Sequence, residues 1–311
     1  MSQSRFKLLH MPENSPPNSA GRSISSSKLT AIRVFYTPLM VADSGGFSPS
    51  AAKPKAVMES WRKLDIPLTV IAPEPVSVED IARAHLPAFV DAVLSCQVEN
   101  GFGNSSEAVA KSLPYTSGAM LAAAREALRN GKVAVAPCAG FHHACYAYPR
   151  GFCTFNGLMV TALALHASGE VKRVGILDFD QHYGDGTDNI IEHLKIKWIK
   201  HYSAGKYYGF TGEAKRFLMS IPGLVKRMQS CDVILYQAGA DPHIDDPLGG
   251  WLTTEQLYER DLIVFETAAE LGISIAWNLA GGYQTPLRKV LQIHDGTMRA
   301  CGKVYLNRAT H

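Results

Sequence analysis

Residues 175–186 read GILDFDQHYGDG, so an apolar stretch ends directly in three carboxylates, a histidine and a glycine-rich turn. Because side chains alternate along a strand, Asp178 and Asp180 share one side of the strand end, and His182 can join them as the chain turns. This combination of carboxylates and imidazole suits zinc or a similar metal. A solvated loop with an Asx turn is the alternative, but the density of ligand-type residues favours the metal site.

Two adjacent histidines, His142 and His143, follow another strand-like run and are flanked by glycine and small residues. A lone histidine is more often a satisfied core residue. Two in a row at a strand end favour general acid and base catalysis, because the unperturbed pKa of imidazole lies nearest neutrality.

Two further apolar runs end in residues that can complete a site. Asp241 ends the sequence Gly-Ala-Asp and is a third candidate ligand, although this motif is weak alone. Gly281 and Gly282 allow a close backbone approach and deliver the phenol of Tyr283. By itself, a tyrosine after Gly-Gly is more commonly an ordinary loop residue.

Together these residues indicate hydrolysis. Two aspartates and one histidine leave a position for water, as in a catalytic zinc site and unlike a closed four-ligand structural site. Water activated there would attack an amide carbonyl. His142 and His143 would manage its protons, and Tyr283 would donate a hydrogen bond to the developing oxyanion.

The elements that must position these residues form an alternating pattern. Short apolar runs predict strands, and the segments between them have helical spacing, which together indicate one α/β domain with a parallel sheet and helices on both faces. In such sheets the ligand crevice lies beyond the carboxyl ends of the strands. The predicted strands are residues 32–36, 68–71, 132–136, 173–179, 233–237 and 274–279; the predicted helices are 78–96, 117–129, 157–168 and 254–271.

Composition narrows the function classes. The chain has 311 residues with a formal charge of +3, too weak and scattered to favour a nucleic-acid partner. Six cysteines without a CxxC pair favour a reducing compartment. We find no signal-type apolar region near the start, and the longest apolar stretch, 158–165, is too short to span a membrane. We therefore expect a soluble cytoplasmic protein, with a flexible arm over residues 1–29 and one catalytic domain over 30–311.

The order of these motifs resembles the arginase/deacetylase superfamily. The His-His pair, the Asp-x-Asp-x-His turn, Gly-Ala-Asp and Gly-Gly-Tyr follow one another as in a bacterial histone-deacetylase-like amidohydrolase. The similarity extends from about Ile32 to Leu291 and includes Ala84-His85, residues 112–118 and residues 150–156. The resemblance implies the arginase/deacetylase fold.

The resemblance also implies a role for each matching residue. Asp180, His182 and Asp241 would bind Zn²⁺. The remaining catalytic positions would be the histidine pair His142 and His143, their respective carboxylate partners Asp178 and Asp185, and the carbonyl-polarising Tyr283. A structural K⁺ would be held partly by backbone oxygens around Asp178, Asp180 and His182.

Substrate residues are implied in the same way. Gly151 and Phe152 would line one side of a narrow acyl-lysine tunnel, with Tyr207, or Tyr208 if the alignment slips by one, opposite them. Leu248 would guard the tunnel mouth.

Three segments depart from the family pattern. Tyr183 stands where many relatives have a second histidine, and residues 198–208 lack the usual Phe-Phe-Pro-Gly-Thr-Gly sequence. Residues 99–107 contain no aspartate, whereas many deacetylases use one there to hold the peptide backbone. These differences change the expected tunnel shape and peptide recognition.

The leading hypothesis is hydrolysis of an Nε-acyl-lysine in a peptide or of a similar acylated small amine, with a homo-oligomer left open. The apolar Leu248 favours acyl-lysine, whereas Glu99 and Glu107 could supply an acidic rim for an acetylpolyamine. A catalytically inactive acyl-lysine-binding module is a third reading, which the intact catalytic set opposes. Arginase-type hydrolysis would need two metals and a different ligand pattern.

Overall fold

The structure, a computed structural model, describes residues 28–306. The arm expected over residues 1–29 lies outside the described residues except for its last two. Of these, Leu29 is held close to residue 305, since its backbone N–H donates to the carbonyl of Tyr305 at 2.8 Å. The division into an arm and a catalytic domain stays a prediction.

The described residues form one parallel sheet of seven strands, which confirms the predicted fold class. Its order is β2-β1-β3-β7-β6-β4-β5, and each neighbouring pair is parallel. Six strands match the predicted runs closely. The strands are β1 Ile32–Phe35, β2 Leu68–Ile71, β3 Val133–Ala136, β4 Val174–Asp178, β5 Ile199–Ser203, β6 Val233–Ala238 and β7 Ser274–Leu279.

The predicted strand set omitted β5, which lies at one edge of the sheet. Its sequence, IKHYS, carries an exposed lysine and lacks the continuous apolar run of a strand buried on both faces. An edge strand needs less apolar surface than its neighbours, so its sequence signal is weaker.

Nine α-helices connect the described strands. They are α1 Lys53–Trp61, α2 Val78–Ala84, α3 Pro87–Leu94, α4 Glu107–Asn130, α5 Gly157–Ala167, α6 Asp185–His193, α7 Ala214–Arg227, α8 Thr254–Glu270 and α9 Arg288–Tyr305. Short 3-10 helices cover Pro38–Met40, Ala204–Lys206 and Thr211–Glu213. None of the helices in this part of the chain is long and apolar enough to cross a membrane.

The helix expected over residues 78–96 is wrong as one element, because it is divided into α2 and α3. His85 and Leu86 leave the helical conformation, and Pro87 begins α3. A residue before proline is disfavoured in the α region, and proline fits the first helical turn, so this boundary follows from the sequence. The range 117–129 is the second half of the longer α4, which continues through Pro114.

The helices cover both faces of the sheet, as predicted. Met58, Phe217, Phe265 and Met298 place α1, α7, α8 and α9 in the hydrophobic core on one face. The helices α2 to α6 supply the core on the other face. In β4, Leu177 packs into the first core and Ile176 into the second, as period-two alternation requires.

Candidate active site

The predicted site residues meet at the carboxyl ends of four adjacent strands, β3, β7, β6 and β4. Asp178 is the last residue of β4, and each of the other strands is followed within a few residues by a predicted catalytic or ligand residue. These residues are His142 after β3, Tyr283 after β7, Asp241 after β6, and Asp180 and His182 after β4. Parallel strands end at one edge, so residues distant in the chain converge there.

Asp180, His182 and Asp241 form a compact donor set whose ligand atoms all lie within 4.8 Å of one another. Nδ1 of His182 lies 3.2 Å from Oδ1 of Asp180 and 3.0 Å from Oδ2 of Asp241. Donors about 2.1 Å from a tetrahedral zinc are separated by about 3.3 Å. The three residues therefore fit a single zinc ion.

The charges of this set also favour a cation. Asp180 and Asp241 are almost fully buried. Burial, with the nearby charge of Asp180, raises the pKa of Asp241 to about 7. Hydrogen bonds to Asp180 and Asp241 raise the pKa of His182 to about 11. Two buried carboxylates this close repel each other, and a bound divalent cation offsets that repulsion.

The turn after β7 packs directly on the ligands. The N–H of Gly281 donates to Oδ2 of Asp180 at 2.9 Å. A Cβ on Gly281 would lie only 2.1 Å from Oδ2 of Asp241, so this position requires glycine. The ammonium of the fully buried Lys53 donates to the carbonyls of Ala280 and Gly281, the latter at 3.1 Å. These hydrogen bonds hold the turn in place. Burial lowers the pKa of Lys53 to about 8 despite the nearby Asp241.

A second buried cation, Arg260 of α8, ties together the two strand ends that carry the carboxylate ligands. Its Nη1 donates to the carbonyl of Phe179 at 3.0 Å and to that of Gly239 at 2.7 Å. These carbonyls lie next to Asp180 and two residues before Asp241. Asp261 pairs with Nε of Arg260 at 2.8 Å. Neither Arg260 nor Lys53 was predicted, although a charged residue inside an apolar helical face was the available signal.

The adjacent histidines each hold a carboxylate through Nδ1. Nδ1–H of His142 donates to Asp178 at 2.8 Å, and Nδ1–H of His143 donates to Asp185 at 2.6 Å. The ring centroids are 4.0 Å apart. Nε2 of His142 lies 3.6 Å from Oδ1 of Asp180, beside the donor set. The predicted pairing of each histidine with its aspartate is thus present in the geometry.

The two imidazoles have opposite pKa shifts. Burial opposes the charged form of His142, but the carboxylates of Asp178 and Asp180 outweigh it and raise the pKa to about 9. Burial and the neighbouring charge of His142 lower the pKa of His143 to about 4. The two environments therefore push the proton affinities of the imidazoles apart, as is typical of acid and base pairs.

Tyr283 extends over the same cavity, which His142, Asp180, Gly281 and Phe152 also line. The backbone N–H of Tyr283 donates to Oδ2 of Asp246 at 2.8 Å, which fixes its position. Burial and the negative charge of Asp241 raise the pKa of Tyr283, so its phenol stays protonated and able to donate.

Gly151 and Phe152, predicted to line a substrate tunnel, both line the cavity at the candidate site. Gly151 adopts a φ of 53°, and a Cβ there would lie 2.6 Å from Cδ2 of His143, so the loop packs directly on that imidazole. The Phe152 ring lies 5.7 Å from the ring of Tyr283. Its other aromatic neighbours among the described residues are Phe102 at 6.2 Å and Phe47 at 6.4 Å.

The structure does not place Tyr207 or Tyr208 opposite Phe152. Tyr207 stacks on Tyr202 with centroids 5.5 Å apart, and Tyr208 stacks on Trp251 at 5.6 Å. The short 3-10 turn after β5 directs this segment towards α7, in keeping with its departure from the family sequence. Phe47, by contrast, lies beside Phe152, with ring centroids 6.4 Å apart.

Phe47 was missed by the sequence analysis. Its ring is 62% exposed and stacks on Tyr283, with centroids 5.7 Å apart and planes 12° from parallel. It follows Gly45 and Gly46, the same Gly-Gly-aromatic signal that pointed to Tyr283.

Leu248 and Glu107 were both predicted near the tunnel mouth. Leu248 is 40% exposed, and its N–H donates to Oδ1 of Asp246 at 3.0 Å. Asp246 also accepts from Tyr283, so Leu248 lies on a turn connected to the candidate site. The side chain of Glu107 pairs with Lys111 at 2.6 Å on the surface of α4. Its carboxylate is therefore engaged in a helix-surface pair.

Comparisons with known proteins agree with this geometry. The chain is 28% identical over 219 residues to an uncharacterised protein of Picosynechococcus sp., covering 65% of this chain and 72% of that protein. It is 27% identical over 257 residues to the chloroplastic histone deacetylase 10 of Oryza sativa, with 68% and 58% covered. A probable deacetylase of Methanothermobacter thermautotrophicus is 28% identical over 154 residues, with 47% and 45% covered. The chain thus spans less than two thirds of the rice and archaeal relatives.

The fold has a match among solved structures. The crystal structure of the HDA15 HD domain superposes with a TM-score of 0.72 at 22% identity, covering 91% of this chain and 90% of that one. A family model described as the histone deacetylase domain matches residues 48–220, more than half of the chain. The resemblance drawn from motif order is confirmed, and the chain belongs to the histone deacetylase family.

Proposed function

We propose that this chain is a zinc-dependent amidohydrolase that removes the acyl group from Nε-acyl-lysine. The observation that carries the proposal is the convergence of Asp180, His182 and Asp241 beside an adjacent histidine pair and a tyrosine. A mere acyl-lysine-binding module would need neither the histidine pair nor its two carboxylates.

Asp180, His182 and Asp241 would hold the zinc ion. When bound, zinc would polarise the amide carbonyl and lower the pKa of water at the open position. Asp178 and Asp185 fix the histidines through Nδ1, which leaves each Nε2 free of its aspartate partner. That arrangement suits one proton acceptor and one donor, for attack and for departure of the amine.

Tyr283 would donate a hydrogen bond to the carbonyl oxygen as negative charge develops there. Its backbone is fixed by Asp246 and its ring contacts both Phe47 and Phe152, so the hydroxyl needs little reorganisation. Fixed donors of this kind are worth about 10²-fold or more in turnover.

The substrate entrance favours a lysine side chain over a polyamine. Phe47 and Phe152 contact Tyr283, Phe102 contacts Phe152, and the three phenylalanine rings would offer apolar contact to a methylene chain. Leu248 adds an apolar residue, and the Glu107 carboxylate is paired with Lys111. An acetylpolyamine carries a second ammonium, which this aromatic rim would not neutralise. Acetylpolyamine hydrolysis remains the second candidate because it uses the same zinc set.

Other expectations from the sequence stay predictions. These are the potassium ion around Asp178, Asp180 and His182, a cytoplasmic location, a homo-oligomer, and the lack of nucleic-acid or membrane partners.

The test is a panel of acetyl-lysine peptides, longer acyl-lysine peptides, acetylputrescine and acetylspermidine, assayed with the zinc-loaded full chain. We expect the highest kcat/KM for an acyl-lysine peptide, one zinc per chain, and loss of both metal and activity in Asp180→Ala. A preference for the polyamines, or two metal equivalents in the active protein, would overturn the proposal. Tight peptide binding without turnover would instead favour the binding-module reading.

A further inference from the structure

A groove of about 620 Å³ lies outside the candidate active site, between the edge strand β5 and helix α7. Small-molecule sites commonly have volumes of this order. Three cationic side chains, three tyrosines and a serine account for most of its lining: Lys200, Arg216, Arg227, Tyr202, Tyr207, Tyr208 and Ser220. Lining of this kind attracts an anion.

Two of the cations have no carboxylate within ion-pair distance among residues 28–306, yet both are held in place. Lys200 Nζ donates to the carbonyl of Arg227 at 2.7 Å and to Oγ of Ser230 at 3.0 Å. The Arg227 guanidinium lies 5.8 Å from the ring centre of Tyr202. Arg216 lies 5.1 Å from the ring centre of Tyr208, but pairs with Glu213. Lys200 and Arg227 therefore retain uncompensated positive charge at the groove.

The tyrosines add donors and a stacking surface. Oη of Tyr208 donates to Oγ of Ser220 at 3.4 Å. Tyr207 stacks on Tyr202 at 5.5 Å, while 56% of its surface stays exposed. Fixed cations recognise phosphate, and an exposed ring beside them can stack on a planar base.

We propose that this groove binds a nucleoside phosphate, with Lys200 and Arg227 contacting the phosphate and Tyr207 stacking on the base. The cationic side chains match the phosphate of such a ligand, and the exposed tyrosine ring matches its base. The proposal is independent of deacylase activity, because no candidate zinc ligand or catalytic residue lines the groove.

The test measures binding of adenosine 5′-monophosphate to the purified full chain by calorimetry. It is carried out on the zinc-loaded protein and repeated on Asp180→Ala, so that phosphate bound at the zinc site is recognised by its change in that variant. Inorganic phosphate and adenosine, measured alone, separate the contributions of the anion and the base. We expect the nucleotide to bind tighter than either part, with an affinity that falls as salt rises.

Three variants test the assignment. Arg227→Gln and Lys200→Gln should each weaken nucleotide binding by about tenfold or more, the effect of losing a charge-assisted contact. Tyr207→Ala should weaken nucleotide binding but leave phosphate binding unchanged. Lys226→Gln is the matched control, because Lys226 is the exposed neighbour of Arg227 on α7 and does not line the groove.

Three results would overturn the proposal. They are no saturable nucleotide binding at millimolar concentration, nucleotide binding no tighter than that of phosphate, and equal losses in Lys226→Gln and Arg227→Gln. Unchanged unfolding midpoints in all variants would ensure that a loss of binding reports on the groove.

Discussion

Gly281→Ala is the sharpest test of the zinc assignment, because it adds one methyl group beside a ligand. Gly281 does not adopt a positive φ, so alanine is permitted by the backbone. The new Cβ would lie 2.1 Å from Oδ2 of Asp241, whereas ordinary contacts begin at about 3.4 Å. Asp241 or the turn must therefore move by more than 1 Å. Zinc–ligand distances tolerate changes of only about 0.2 Å, so we expect zinc affinity to fall by at least about 100-fold.

The measurement is zinc affinity by competition with a chromogenic chelator, together with kcat/KM for an acetyl-lysine peptide. Gly223→Ala in α7 is the matched control, because no atom lies within 4 Å of its added Cβ. That control should keep wild-type zinc affinity and turnover. Wild-type zinc affinity in Gly281→Ala would refute the reasoning, since it would mean that Asp241 can move aside without leaving the metal.

Further predictions concern the phenol, the entrance and acid stability. Tyr283→Phe should lower kcat by about 10²-fold with unchanged zinc content, and His143→Ala should be at least as damaging; near-normal turnover in either would contradict the proposed roles. Phe47→Ala should raise KM for acyl-lysine peptides several-fold and allow hydrolysis of bulkier acylated amines. The control Phe210→Ala, which changes an exposed residue, should alter neither KM nor the range of substrates. Identical kinetics in both variants would exclude Phe47 from the entrance. Burial lowers the pKa of His85 from 6.5 to about 4. His85 therefore resists protonation in the folded protein but not in the unfolded chain. The free energy of unfolding, which has its full value above pH 6.5, should fall by about 2 kcal/mol between pH 7 and pH 5. Urea unfolding measures this loss, which His85→Gln should largely remove.

Much of the site could be predicted because its residues follow strands whose apolar runs are distinctive. Asp178 ends one fully buried strand, Asp241 and Tyr283 come soon after two others, and the parallel arrangement brings those ends together. The order of the strands and motifs in the sequence was therefore enough to predict that these residues lie together. The pairing of His142 with Asp178 came from family resemblance, because no local pattern specifies which carboxylate faces which imidazole.

The rest depended on contacts that sequence spacing does not encode. Lys53 and Arg260 act through backbone carbonyls that lie 21 to 228 residues away, so the charge in a helical segment is visible in the sequence but its partner is not. The family resemblance placed Tyr207 or Tyr208 at the tunnel, but the chain after β5 turns towards α7, and Phe47 from another loop is the ring that contacts Phe152 and Tyr283. The direction of a loop is set by tertiary packing, which short motifs do not determine.

The position of Arg260 has a consequence for how metal enters the protein. Its guanidinium fixes the spacing of the strand ends that precede Asp180 and Asp241 from the protein interior. Folding of the protein therefore supplies the conformational entropy loss of bringing the ligands together, and metal binding does not have to supply it. A preorganised apoprotein of this kind should keep its tertiary structure when a chelator removes the ion and should regain activity on addition of zinc. Small zinc domains behave differently, because their chains unfold when the metal leaves.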